Sequence, residues 1–297
     1  MRRGTIVLLT SLLCISLATA QRPSFEVASV KRFDASTSGQ PNFSGFQDQP
    51  GGRFIVSGVT LKMLITYAYR VRDFQFVGGP DWMNTDQWEV IAKAEEGSVP
   101  SHRGKAFDPR EQDTVALMVQ SLLEDRFQLK IHRETRELPV YDLLQGKDGA
   151  KLQLSADQSP PQPAPPGEES SPQNGRRTPP RGNVLMFAGP TGLVLLGNAV
   201  TLTVLGDSLT FPLGRAVLNH TNLKDGLYDF KLQWKPDVAE LGKSAPGGYD
   251  GTSPADPAAV SIFTAVQEQL GLRLVSSKGP VEVLVIDSVQ KPVANGF

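Results

Sequence analysis

Hydrophobic positions recur with helical spacing just after residue 60. Leu61, Leu64, Ile65 and Ala68 fall at i, i+3, i+4 and i+7, the apolar stripe of a helix, and Thr60 is placed to cap its first turn. Gly78-Gly79-Pro80 marks a turn, and Trp88-Glu89-Val90-Ile91 predicts a strand after it. A second helix is expected over 114–124, with Val115, Met118, Val119 and Leu122 on one side. Phe127, Leu129 and Ile131 then alternate with Gln128, Lys130 and His132, the period of a half-buried strand. A further strand, apolar on both faces, is expected over 138–144.

This succession returns later in the chain. Val59-Thr60-Leu61 with Leu64 recurs as Val200-Thr201-Leu202 with Leu205, and Pro139-Val140 with Leu143 recurs as Pro280-Val281 with Leu284, both at an offset of 141. Trp88-Glu89-Val90 corresponds to Tyr228-Asp229-Phe230, one residue out of step. Polar insertions fall at the same place in each half, 95–112 and 237–258. Two separated motifs sharing one offset predict an internal duplication. The second copy is expected to hold helices over 202–209 and 260–270, with strands over 216–218, 228–234, 272–275 and 281–286. Pro212 is expected to end the first of these helices early, because a proline inside a helix loses a hydrogen bond and crowds the preceding turn. The expected fold class is α+β, internally duplicated, with four helix-strand-strand units in two similar halves.

Composition refines the boundaries. Arg2 and Arg3 precede an apolar run over 5–17, and Ala18-Thr19-Ala20 offers the small residues of a signal-peptide cleavage site after Ala20. That run is too short to span a bilayer, which takes about 20 apolar residues, and no later segment has the length either. Residues 155–182 contain eight prolines and almost nothing apolar, the composition of a linker or surface loop. The chain therefore divides into a signal peptide at 1–20, a first α+β repeat at 21–154, a Pro-rich linker at 155–182 and a second repeat at 183–297. The expected location is extracytoplasmic, in the periplasm or secreted.

Charge and cysteine content narrow the chemistry. The formal net charge of the chain is −1, and loss of Arg2 and Arg3 leaves 28 basic against 31 acidic residues, a net −3. No basic field is present to hold nucleic acid. The single cysteine, Cys14, lies inside the leader, which excludes a disulfide framework and a cysteine-built metal site. The three histidines, His102, His132 and His220, lack the close spacing of zinc ligands, and neither a phosphate-cradling glycine loop nor a redox cysteine pair occurs, so no metal or cofactor is called for.

The candidate site residues are few. Trp82, in Gly79-Pro80-Asp81-Trp82, could stack on a sugar or peptide with Asp81 accepting hydrogen bonds beside it, or could plug the junction between helix and strand. His132 and Glu134 share the polar face of a charged strand, as a solvated edge or, in the sharper alternative, a proton-transfer pair. Adjacent Glu124 and Asp125 do not face each other on a helix. Gly206-Asp207-Ser208-Leu209-Thr210 resembles the nucleophile block of GDSL esterases and lipases. Its serine needs a histidine base, and the last histidine, His220, has Val217 where that family carries an aspartate. No residue is assigned a catalytic role.

Several blocks resemble an uncharacterised secreted family expanded in soil bacteria, especially acidobacteria: Phe25-Glu26-Val27-Ala28-Ser29-Val30-Lys31, Gly79-Pro80-Asp81-Trp82, the run from Leu122 to Tyr141, Tyr228-Asp229-Phe230, and the run from Phe263 through Asp287. The match covers nearly all of the chain outside leader and linker. That family is a domain of unknown function, so the resemblance brings no catalytic residue. Similar domains attached to membrane-bound sensor peptidases imply an extracytoplasmic sensing or interaction role. The helix–Leu-Gly-Leu–strand units also look like short N-terminal domains of secretins and TonB-dependent receptors, an analogy of fold alone. The expectation is an exported, non-enzymatic interaction or sensing module whose partner is an envelope protein or peptide. The alternatives are a secreted ester or glycan hydrolase, using Ser208, Asp207, Asp81 or His132, and a small-molecule or glycan binder at the seam between copies near Trp82.

Overall fold

The computed structural model describes residues 22–34, 36, 45–49, 52–99, 114–161, 178–189, 192–236 and 260–292. The leader, its cleavage site and His102 lie outside the described residues. Among the described residues are five α-helices and twelve strands in three four-stranded sheets, an α+β architecture. The first part runs β1 (Val27–Arg32), β2 (Gly45–Gln49), β3 (Arg53–Thr60), α1 (Leu61–Tyr69), β4 (Phe76–Val77), α2 (Trp82–Thr85), β5 (Gln87–Lys93), α3 (Thr114–Phe127) and β6 (Lys130–Gln145). The remainder runs β7 (Gln153–Leu154), β8 (Asn183–Gly189), β9 (Gly192–Val200), α4 (Leu202–Leu213), β10 (Val217–Asn219), β11 (Tyr228–Trp234), α5 (Ile262–Leu270) and β12 (Leu272–Ser288).

Local signals place most of these elements. Thr60 caps α1 by accepting from the Met63 N–H at 3.3 Å, and Thr201 caps α4 from Val204 in the same way. The hairpins β2-β3 and β8-β9, which lead into those helices, are additions to the expected helix-strand-strand scheme. Pro212 does not end α4 early: it sits in the last turn, where only the bond to the carbonyl four residues back is forgone, and the helix stops at left-handed Gly214. Phe127, expected to open a strand, closes α3 and is fully buried.

Two antiparallel sheets, ordered β1-β5-β3-β2 and β7-β11-β9-β8, flank a central sheet ordered β10-β6-β12-β4. In the central sheet β6 and β12 pair antiparallel over their whole length, from Leu272 opposite Gln145 to Ser288 opposite Lys130. The expected pairs of shorter strands, 127–132 with 138–144 and 272–275 with 281–286, are thus two unbroken strands. Their polar middles bury little, and cross-strand pairing holds them extended: Glu134 opposes Val283 and Lys278 opposes Pro139.

This ribbon joins two cores. The first combines Phe54, Val56 and Val90 of its sheet with Leu61, Leu64 and Ile65 of α1 and Leu123 of α3, and is completed by Leu284 and Ile286 from β12. The second combines Leu193, Leu195 and Leu232 with Leu205 and Leu209 of α4 and Val266 of α5, and takes Leu143 from β6. Each core is closed by a strand belonging to the other part of the chain, so neither is complete alone. Arg72, following α1, lies 5.4 Å from the Phe211 ring of α4 and adds a contact across the seam.

Candidate functional site

Trp82 is held by a tightly specified turn. Gly78 and Gly79 adopt φ of +79° and +89°, and a Cβ on Gly79 would fall 2.6 Å from the Met83 sulfur, so a side chain there would strain the backbone and displace Met83. Pro80, Asp81 and Trp82 carbonyls accept from Met83, Asn84 and Asp86 N–H groups, which winds the single turn α2. Asp81 is exposed at its start, and Trp82 is half-buried against the first core. The Trp82 indole meets Trp88 edge-on with centroids 6.4 Å apart, and Trp88 meets Phe127 edge-on at 5.2 Å. The expected plug and the expected surface aromatic are therefore the same residue, with one edge in the core and one face turned outward.

That face is occupied by a cation. The Lys291 ammonium stands 5.4 Å from the Trp82 centroid and 2.7 Å from Asp86 Oδ2. Arg32 of β1 takes the other carboxylate oxygen at 3.0 Å. The Lys291 hydrogen bond, aided by the charge of Arg32, holds the Asp86 carboxyl below the usual carboxylate range. Gln290 donates its N–H to the Phe127 carbonyl at 2.7 Å, and Val289 packs on the core, which positions Lys291. Asp86, Arg32 and Lys291 were not legible as a group, since the cation lies 205 positions from the carboxylate it binds.

His132 forms a separate cluster. Its Nδ1 lies 2.8 Å from Asp287 Oδ1 on β12, while Glu134, the partner suggested by strand alternation, is 3.8 Å from Nε2. Asp287 occupies the irregularity in pairing between Ile286 and Ser288. The Asp287 hydrogen bond, with the charges of Asp287 and Glu134, pushes the imidazole above its ordinary value despite some desolvation. Glu134 also binds Arg136, and on the opposite face of the ribbon Arg133 binds Glu282. Asp81 and Trp82 are neighbours in the turn, but they share no hydrogen bond, ion pair or ring contact with His132.

The esterase-like string is tied up within its own helix. Ser208 Oγ donates to the Val204 carbonyl at 2.7 Å, and His220 Nδ1 sits 3.1 Å from Asp142 Oδ1 rather than beside the serine. Asp207 lies in the field of Arg72, whose guanidinium is pushed down from its ordinary value by burial, with Asp207 opposing. Among the described residues no group of three or more His, Cys, Asp or Glu is placed to hold a metal ion, and no helix is long and apolar enough to cross a membrane.

The ribbon's outer edges are blunted against strand addition. Tyr141 donates its N–H to the Ala216 carbonyl, away from β12, so by alternation Pro139 also faces outward. On β12 the Glu282 carbonyl accepts from the Gln75 side chain, which sets Pro280 outward in the same way. Proline at these positions offers no N–H to an added strand.

A protein family described as "Protein of unknown function (DUF3738)" matches residues 62–289. No curated protein and no solved structure matches the chain.

Proposed function

The chain belongs to that family of unknown function, and from this premise we propose that it is an exported, non-enzymatic interaction module of the cell envelope, built by duplication of one α+β unit. The leader at 1–20 is removed after Ala20, and repeats at 21–154 and 183–297 flank a Pro-rich linker at 155–182. Corresponding strand orders support the duplication: β1-β5-β3-β2 and β7-β11-β9-β8 each set a leading strand beside the second strand after the helix, with the hairpin that enters that helix beyond; β7, at Gln153–Leu154, lies on the near side of the linker and pairs with the second repeat. Leu138 and Gly279, 141 apart, oppose each other at the middle of the ribbon, so one step along the sequence carries β6 onto β12.

The observation that carries the non-enzymatic reading is the Ser208 hydroxyl bonded back to Val204, while His132 and His220 are paired with Asp287 and Asp142. Among the described residues no histidine is paired with Ser208, and a nucleophile without a base in reach is a weak one. Cross-linking in intact cells that make the chain abundantly is expected to recover an envelope protein or peptide joined to it, and recovery of the chain alone sinks the reading. Ester and glycan substrates are expected to give no hydrolysis that Ser208→Ala removes; loss of a genuine activity in that variant would establish the hydrolase instead. The exported chain is expected to begin at Gln21 when its N-terminus is sequenced.

A further inference from the structure

The Trp82 cluster has the composition of a receptor site for a positively charged group. An indole face attracts a cation through its quadrupole, and a carboxylate at hydrogen-bond distance adds direction. The work is divided between the two oxygens of Asp86: Arg32 binds Oδ1 at 3.0 Å from the sheet side, and Lys291 binds Oδ2 at 2.7 Å. Exposure distinguishes the two sides of the contact, since the Lys291 side chain is 49% exposed and that of Asp86 only 13%. The ammonium thus covers a largely buried carboxylate while its own side chain stays half-exposed, so Lys291 is the solvent-side partner of the contact.

We propose that Trp82 and Asp86 form a seat for a primary ammonium group, the lysine-type side chain of a partner polypeptide, and that Lys291 fills this seat in cis as an internal competitor. Arg32 stays on Oδ1 and keeps the carboxylate oriented when Lys291 leaves Oδ2. Lysine suits the seat better than arginine, because one oxygen and one ring face accept a compact point charge and offer no second acceptor for a guanidinium fork. The inference rests on the interaction-module reading and names the chemistry of its partner.

The test uses the mature chain, its Lys291→Ala variant and the double variant with Asp86→Asn. N-butylammonium chloride is titrated while the indole N–H resonance of Trp82 is followed by NMR, assigned with Trp82→Phe. Sodium chloride and n-butanol at equal concentration serve as controls. Saturable movement of the Trp82 resonance is expected in Lys291→Ala, with at least tenfold weaker apparent binding in the wild type and none in the double variant. Equal responses in wild type and Lys291→Ala overturn the competitor role. No saturable response in Lys291→Ala, or one shared by the Trp234 resonance, overturns the seat. Should the double variant fail to fold, the comparison of the other two still decides. N-acetyl-lysine methylamide is expected to bind Lys291→Ala at least as tightly as n-butylammonium; binding of the free amine alone overturns the polypeptide partner. Cross-linking is a separate readout, so a failed titration leaves the interaction-module reading standing.

Discussion

Truncating Leu284 to alanine tests whether the crossed ribbon makes one cooperative unit of the two cores. Leu284 lies in β12, opposite Arg133 on β6 and Phe76 on β4, and is fully buried in the first core, far along the chain from that core's helices. With paired strands on both sides, the site has little freedom to collapse, so the lost transfer energy and the residual cavity should together cost about 3 kcal/mol. With a urea m value of about 3 kcal/mol/M for a chain of this size, the unfolding midpoint should fall by about 1 M. Urea titrations followed by far-UV circular dichroism and by indole fluorescence provide the assay. Trp88 reports the first core and Trp234 the second, each read in a background with the other tryptophans changed to phenylalanine. Both probes are expected to move together with unchanged m. The mirror change, Leu143→Ala in the second core, should behave alike. Two separate transitions of which only one moves, or a midpoint shift below about 0.3 M, would refute the reasoning.

Three further outcomes are expected. Gly79→Ala should destabilise the chain by about 2 kcal/mol, because left-handed backbone and the Met83 contact both oppose a Cβ, and an unchanged melting temperature would remove the turn's claimed constraint. His132 should titrate above its ordinary value by NMR and fall back toward it in Asp287→Asn. Since its folded pKa is raised, the stability difference between wild type and His132→Gln should be full below about pH 6.5 and vanish as pH rises through the folded midpoint; a difference that grows with pH would contradict the Asp287 pairing. Replacing Pro139 and Pro280 together by threonine restores outward N–H groups on both ribbon edges. Self-association in sedimentation should increase, and an unchanged monomer would show that the prolines do not guard those edges.

Short-range features were legible wherever one face of one element carried the signal. The α1 stripe, the Thr60 cap, the Gly79-Pro80 turn and the strand around Val90 all follow from contacts within a few residues. The candidate site was legible only by halves. Trp82 and Asp81 stood out as a turn pair, but Asp86 and Lys291, which decide what the indole face meets, carry no local pattern. For His132 the alternation pointed to Glu134, whereas the shorter contact is to Asp287 across the ribbon.

The sequence by itself determined where α1, α3, α4 and α5 lie, which strands run through Val90 and Phe230, and where the chain turns at Gly79, because hydrophobic period, caps and glycine conformation act over a few residues. Only the tertiary structure decided that the polar stretch 276–280 stays extended, that Leu284 completes the first core and Leu143 the second, and that a lysine 205 positions away sits on Asp86. These outcomes depend on pairing between distant segments, where burial and charge are set by the neighbour across the sheet and leave no period along the chain.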